Sequence, residues 1–337
     1  MSKKRIIICL DGTWNDPEDE VPTNVLRVAR AIKPHANNDT EQVVFYDWGV
    51  GSYYASARGG MSGLGMMKNI QDGYRFIVQN YDVGDELFIF GFSRGAYTAR
   101  ALAGMLNNCG ILKSKHAELI PDAFKFYKKR SAKPGSNEAA GWRRKYALQG
   151  SRGQVDFLGV WDTVGALGIP TRVLAFVEEK DLFYDPVLGS NVVCARHAVS
   201  IDEKRSDFTP TLWDNSEARD MKQVWFAGVH ADIGGGAKPR QGKFLSDIAL
   251  AWVAREAANQ GLEFASHLHG STASHHKINL SKSYKSFYRV LGKTTRVMPT
   301  GNVVDISVKK RHRASQYRPE PLARWLLAND GWGTIEP

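Results

Sequence analysis

Between Glu86 and Leu106 an apolar run, a tight Gly-Phe-Ser-Arg-Gly turn and an alanine-rich stretch follow one another, and few folds accommodate that order. The run before the turn reads as a strand buried on both faces, and the stretch after it as a helix. Gly91 and Gly95, two residues either side of Ser93, let strand and helix approach closely through a strained turn that lifts the serine hydroxyl above a sheet. The helix N-terminus beneath adds partial positive charge, and the Arg94 backbone N–H is a candidate oxyanion donor. A bare Gly-x-Ser-x-Gly recurs by chance, and an ordinary βα turn is the plain alternative. The strand before and the helix after are what make this one read as a nucleophile elbow.

Short apolar runs rich in β-branched and aromatic residues predict further strands at 5–10, 43–48, 155–161 and 224–229, besides 86–90. Helical stripes lie between them: Val25, Val28, Ala29 and Ile32 after Asn24 as N-cap; Ile70, Tyr74, Ile77, Val78 and Tyr81; and Leu245, Ile248, Ala249 and Trp252, closing near Gly261. Strands alternating with helices imply an α/β protein of the α/β-hydrolase kind, with a mostly parallel central sheet, helices on both faces and insertions above it. Residues 1–337 are expected to form a single domain, with 111–150 and 167–190 interrupting the rhythm as cap or lid insertions would. The Gly-rich segment 57–65 reads as a loop and lacks the endings of a phosphate-binding motif.

A serine hydroxyl needs a base oriented by an acid, and on this fold the chain order is Ser, Asp or Glu, His. Asp162 follows the strand at 155–161 and His230 follows the strand at 224–229, both at strand ends where sites form. Ser93, Asp162 and His230 are therefore the expected catalytic set. His197 lies in a stretch that reads as helix, which favours a packed or surface role. Asp156, Asp202 and Asp232 are alternative acids, less well placed. Asp11-Gly12-Thr13 resembles a phosphatase motif whose nucleophilic aspartate would fall on Cys9, so that chemistry is lost. The loop instead lies where a second oxyanion N–H should come from, making Gly12 and Thr13 candidates, with Asp11 holding the loop. In the 167–183 stretch, Leu167, Ile169 and Phe176 are candidates to line an acyl pocket.

His267, His269, His275 and His276 crowd a polar stretch, but no carboxylate or thiolate completes a metal-ligand spacing, and a serine hydrolase needs neither metal nor cofactor. Cys9, Cys109 and Cys194 have apolar neighbours and no paired spacing, which argues reduced thiols. No run approaches the ~18 apolar residues of a membrane span and the first residues lack a signal-peptide core, so the expectation is a cytoplasmic chain, with export that reads no signal peptide left open. The formal net charge of +10 is uneven: residues 111–150 hold 10 Lys/Arg against 3 acids, and 277–318 hold 11 against 1. Such segments are either solvated surface or the footprint of an anionic partner, a membrane more than a nucleic acid. Interleaved rings and cations at 125–130 and 142–145 suggest peripheral contact with an anionic membrane. The rival class is a non-catalytic lipid- or nucleic-acid-binding module on a hydrolase fold. Oligomeric state is not legible.

Several ordered motifs also resemble a known family, the α/β-hydrolase domains of bacteria and fungi that include type VI secreted phospholipase effectors. They are Leu10-Asp-Gly-Thr-Trp-Asn15, Pro22-Thr-Asn-Val25, Gly49-Val-Gly51, Gly91-Phe-Ser-Arg-Gly-Ala96, Val160-Trp-Asp-Thr-Val-Gly165, His197-Ala-Val-Ser-Ile-Asp202 with Phe208 and Pro210, and Gly228-Val-His-Ala-Asp-Ile-Gly-Gly-Gly236. The resemblance spans about residues 3–260, and loosely to 322. It implies that Ser93, Asp162 and His230 occupy the family's triad and that phospholipid acyl esters are the leading substrate class.

Overall fold

The computed structural model describes residues 3–12, 18, 20–49, 63–129, 131–165, 187–214, 220–268, 270–283 and 292–337. Its centre is a sheet of eight parallel strands in the order β2-β1-β3-β4-β5-β6-β7-β8. They are β1 (Arg5–Leu10), β2 (Gln42–Asp47), β3 (Glu86–Phe92), β4 (Val155–Trp161), β5 (Val192–Ser200), β6 (Asp220–Phe226), β7 (Val303–Asp305) and β8 (Ile335–Glu336). The helices that matter here are α1 (Asn24–Ala31), α2 (Gly63–Asn80), α3 (Arg94–Cys109), α4 (Ile120–Lys128), α5 (Asn137–Tyr146), the single turn α6 (His230–Gly234), α7 (Asp247–Asn259) and α8 (Ile306–Ala314). Successive side chains of a strand point to opposite faces. In β1, Ile6, Ile8 and Leu10 accordingly join one apolar layer with Tyr74 of α2 and Leu102 of α3. Ile7 and Cys9 join the other, with Val28 of α1 and Trp252 of α7. Both faces are thus covered, as the apolar runs require. The architecture is that of an α/β-hydrolase.

Three local expectations change. The stretch around His197 is not helix but β5, between β4 and β6, with all but Val193 buried. Its Arg196 is accommodated by an ion pair with buried Glu256 and by Asp220 at 2.7 Å, so a basic residue does not mark a helix surface there. The N-cap of α1 is Thr23, whose hydroxyl accepts from Leu26 N–H. Asn24 instead donates to the carbonyls of Ile233 at 2.8 Å and Ser246 at 3.2 Å, fastening α1 to the turn that carries His230. β6 also runs earlier than expected and stops at Phe226.

The described part of 111–150 packs against α2 and α3. Its contacts with α3 include several at that helix's far end: Tyr127 packs where a Gly104 side chain would be, Asn108 Nδ2 donates to Ala132 O at 2.5 Å, and Arg143 donates to Asn108 O at 2.8 Å. At 1.5 Å per residue that is roughly 16–22 Å along the helix from the serine. Phe126 stacks on Trp142 with centroids 4.8 Å apart, and Tyr146 meets Trp142 at a tilt with centroids 4.7 Å apart, so these rings pack on one another. Arg130 and most of the 167–190 stretch lie outside the described residues. No described helix is long and apolar enough to cross a membrane.

At the elbow, backbone packs directly on backbone. A Cβ on Gly95 would stand 2.2 Å from Leu10 O and 2.5 Å from Asp11 O, and one on Gly91 would stand 2.5 Å from Gly95 O. Those obstacles are backbone and cannot swing aside. Gly95→Ala is therefore expected to cost about 2–3 kcal/mol or prevent folding. Gly135→Ala, where a Cβ meets nothing within 4 Å, should stay within about 0.5 kcal/mol of the parent. Urea unfolding of the two variants measures the contrast.

Candidate active site

Three strand ends converge at the C-terminal edge of the sheet. β3 ends at Phe92, and the chain passes through Ser93 with φ 58° and ψ −122° before entering α3. Such a backbone on a non-glycine residue stores on the order of 1–3 kcal/mol of strain. It is held by Ser93 N–H donating to Trp161 O at 3.1 Å, which ties the turn to β4. β4 is followed by Asp162, also at positive φ (38°), with its N–H donating to Ala198 O of β5 at 2.7 Å. β6 is followed by Ala227-Gly228-Val229 and then His230, the first residue of α6.

The three side chains meet. His230 Nε2 lies 2.9 Å from Ser93 Oγ, and His230 Nδ1 lies 2.6 Å from Asp162 Oδ2. A proton on Nδ1 donated to the carboxylate leaves the Nε2 lone pair facing the serine hydroxyl. The imidazole sits between Phe92, with ring centroids 4.6 Å apart, and the edge of Phe208 at 4.8 Å. Gly234 leaves room for Phe92, whose ring atoms would be 1.9 Å from a Cβ there. All three side chains are buried, Asp162 completely. Burial draws the His230 imidazole below its ordinary value while Asp162 pulls the other way, so the ring is neutral, and able to accept a proton, at neutral pH. Burial by itself would raise Asp162, but the Arg296 charge and the His230 hydrogen bond hold it well below the usual carboxylate range.

Arg296 went unnoticed in the sequence. It lies within the basic 277–318 stretch, where it looks like any solvated cation, yet it is 3% exposed and forks onto Asp162 with Nη–Oδ distances of 2.6 and 2.9 Å. Other members of that stretch also turn inward. Ser281 N–H donates to Asp232 Oδ2 at 2.9 Å, Ser283 Oγ to Glu203 Oε1 at 2.9 Å, and Tyr317 OH to Asp202 Oδ2 at 2.7 Å. Each of those acids also holds a turn of the site: Asp202 accepts from Gly228 N–H, Asp232 from Val229 N–H and Glu203 from His230 N–H. Against burial, which would raise it, the Arg205 guanidinium pulls Glu203 down to about 2. Burial pushes Asp202 up to about 6. The remaining alternative acid, Asp156, accepts from Leu87 N–H at 2.8 Å near the opposite end of the strands.

Of the expected oxyanion donors, Arg94 is the first residue of α3, where N–H groups point outward along the helix axis. Gly12 N–H donates to Asp11 Oδ1 at 2.7 Å, so it is committed to the loop's own carboxylate. Asp11 also accepts from Tyr46 OH at 2.9 Å and from the Thr23 hydroxyl, and thereby holds its loop. Thr13, Leu167, Ile169 and Phe176 lie outside the described residues. The histidine-rich stretch is spread out: His275 Nε2 lies 2.9 Å from Asp247 Oδ2 and His276 Nδ1 3.1 Å from Ala273 O. His269 is outside the described residues, among which no group of three or more His, Cys, Asp or Glu could hold a metal ion.

The family model for the catalytic domain of T6SS phospholipase effectors of the Tle1-like kind matches residues 4–256. An uncharacterised protein of Saccharomyces cerevisiae is 29% identical over 231 residues, covering 61% of this chain and 32% of its own. Among solved structures, an uncharacterised protein from Pseudomonas aeruginosa superposes with a TM-score of 0.53 at 17% identity, over 96% of this chain and 52% of that one. A carboxylesterase from Lactobacillus plantarum superposes with a TM-score of 0.41 at 15% identity, over 77% of this chain and 87% of its own. The chain thus spans about a third of the yeast protein and about half of the Pseudomonas protein.

His197 has a different place from the one its rivalry with His230 suggested. It is fully buried in β5, where its Nε2 accepts from Thr163 N–H at 3.1 Å and its Nδ1 lies 3.2 Å from Gln223 Oε1. Burial, reinforced by the Arg100 charge, lowers it to about 3. Between pH 6.5 and 3 the unfolded chain therefore binds a proton that the folded one refuses, so this residue's contribution to stability falls as pH falls through that window. His197→Gln is expected to be less stable at pH 7.5 but to lose less on acidification to pH 5 than the parent, by about 1–2 kcal/mol. Urea midpoints at the two pH values provide the comparison.

Proposed function

We propose, for a chain that belongs to the T6SS phospholipase effector Tle1-like catalytic-domain family, that it is a serine hydrolase of carboxylic esters, with lipid or phospholipid esters as its substrates. The observation that carries this reading is the continuous hydrogen-bonded path from Ser93 Oγ through both nitrogens of His230 to the buried Asp162 carboxylate. The substrate class rests on the family description.

On this reading Ser93 Oγ attacks the ester carbonyl carbon while His230 Nε2 takes the hydroxyl proton. Asp162 keeps the Nδ1 proton in place and stabilises the imidazolium. The tetrahedral oxyanion faces the N-terminus of α3, where the Arg94 N–H and the helix dipole favour negative charge. Collapse of the intermediate expels the alcohol portion, which leaves with the proton from His230, and Ser93 keeps the acyl group. Water then attacks the acyl-enzyme, giving its proton to His230, and the fatty acid departs as the proton returns to Ser93. The second oxyanion donor is assigned to the loop that begins at Gly12. Because Gly12 N–H is engaged by Asp11, Thr13 is the better candidate there. Leu167, Ile169 and Phe176 remain the proposed lining of the acyl pocket.

Purified protein assayed on p-nitrophenyl esters and on phospholipid vesicles should release fatty acid from both, and Ser93 should be labelled by a fluorophosphonate. Ser93→Ala is expected to keep the circular dichroism spectrum and lose ~10⁴-fold or more of kcat. His230→Ala should match that loss. His197→Gln should still be labelled. Hydrolysis of short esters without any from vesicles would remove lipids as the substrate class, and near-parental activity in Ser93→Ala would remove the mechanism.

A further inference from the structure

The segment 292–301 contributes a charge to the site from beyond residue 256, where the family match ends. Thr294 N–H donates to Lys204 O at 2.8 Å, Lys293 forms an isolated antiparallel bridge with Arg205, and Met298 is buried among Val199, Ile201 and Trp225. Between these anchors the Arg296 side chain is driven inward. Its two terminal nitrogens are saturated: one donates to Asp162 Oδ1 at 2.6 Å and Ser200 O at 2.8 Å, the other to Asp162 Oδ2 at 2.9 Å and Phe208 O at 2.7 Å. Ser200 N–H adds a further donor to Asp162 Oδ1 at 2.9 Å. The guanidinium therefore fixes the carboxylate plane, the strand end of β5 and the residue whose ring edge meets His230.

We propose that Arg296 is a positioning residue of the site, its guanidinium fixing both carboxylate oxygens of Asp162 and offsetting their charge, which limits the pull that Asp162 exerts on a proton at His230. The inference rests on the reading of Ser93, His230 and Asp162 as nucleophile, base and acid. A carboxylate alone beside a buried imidazole would favour the imidazolium strongly, and an imidazole already protonated cannot accept the serine proton. With Arg296 on the opposite edge, protonating His230 sets a second cation around one anion. The base then stays free at mildly acidic pH. Among the described residues, the other charges near His230 form pairs of their own. Glu203, whose Oε2 lies 3.2 Å from His230 N, is forked by Arg205 at 2.9 Å, and Asp232 on the same turn faces Arg240 at 3.7 Å. Among the described residues, Arg296 is thus the Lys or Arg that contacts the acid partner of the base.

The test is the acid limb of kcat/KM on a soluble ester, which reports the free enzyme's base. In Arg296→Met the limb should move upward by on the order of one pH unit. In Arg296→Lys, which keeps the charge but cannot bridge both oxygens, it should stay within a few tenths of the parent while kcat falls roughly 10-fold. A role confined to folding would lower the melting temperature and the fraction of Ser93 titrated by fluorophosphonate without moving the limb, and that outcome overturns the proposal. Should Arg296→Met fail to fold, the His230 imidazole of the parent protein is titrated by NMR. A midpoint below about 6.5 supports the inference, and one at or above that value overturns it. Absence of Ser93 labelling in the parent protein overturns the nucleophile assignment, and this inference with it.

Discussion

The C-terminal edge of the sheet is organised around one carboxylate that water does not reach. A bare ion buried this deeply is costly unless it is paired and hydrogen-bonded, and Asp162 answers with a donor on every side: Ser200 N–H, His230 Nδ1–H and the two arms of Arg296. Those donors belong to β5, to the turn after β6 and to the segment before β7. Satisfying one charge therefore fixes the relative positions of three parts of the chain that are distant in sequence. The serine end depends on a different constraint, backbone packed on backbone at Gly91 and Gly95, which confines the Ser93 turn against the end of β1.

The same device recurs at lower stakes around His230. Asp202, Glu203 and Asp232 each accept a backbone N–H from the 228–230 turn, and each is met by a side chain from the C-terminal third of the protein. The loop after β5 and the helical turn after β6 are in effect sewn to residues 281–317. This accounts for part of the positive charge that the composition concentrates there. Arg296 and Arg311 are internal, the latter donating to Ile278 O at 2.7 Å, rather than members of an exposed basic face.

Legibility in the sequence followed the range of the interaction. β1, β3 and β4 and the stripes of α1, α2 and α7 were readable because their periodicity is local and both their faces are buried. The elbow was readable because its Gly-x-Ser-x-Gly spacing, with a strand before and a helix after, is contiguous in sequence, although the backbone that excludes a Gly95 side chain comes from the end of β1. β5 was misread because the Ala-Arg-His-Ala run carries polar residues whose partners, Glu256, Asp220 and Gln223, are supplied from elsewhere. β7 and β8, of three and two residues, are too short to show a period. Arg296 had no local signal at all: nothing around it distinguishes an inward arginine from an outward one, since only the fold brings Asp162 to it. The packing of 111–150 was not legible for a related reason, because an interruption of the strand–helix rhythm says where a segment is inserted but not at which end of α3 it packs.

The dependence of Asp162 on Arg296 also bears on the order in which the chain is made. Domains begin to fold from the N-terminus during synthesis, at ~5–20 residues per second, so the elbow, Asp162 and His230 emerge well before residue 296. The strands that carry them can pair early, but Asp162 must remain hydrated, or protonated, until its arginine arrives. In the nascent chain Ser93 and His230 are therefore made before the partner that seats Asp162, and the hydrogen-bonded path that joins the three side chains is completed only as a late step of folding.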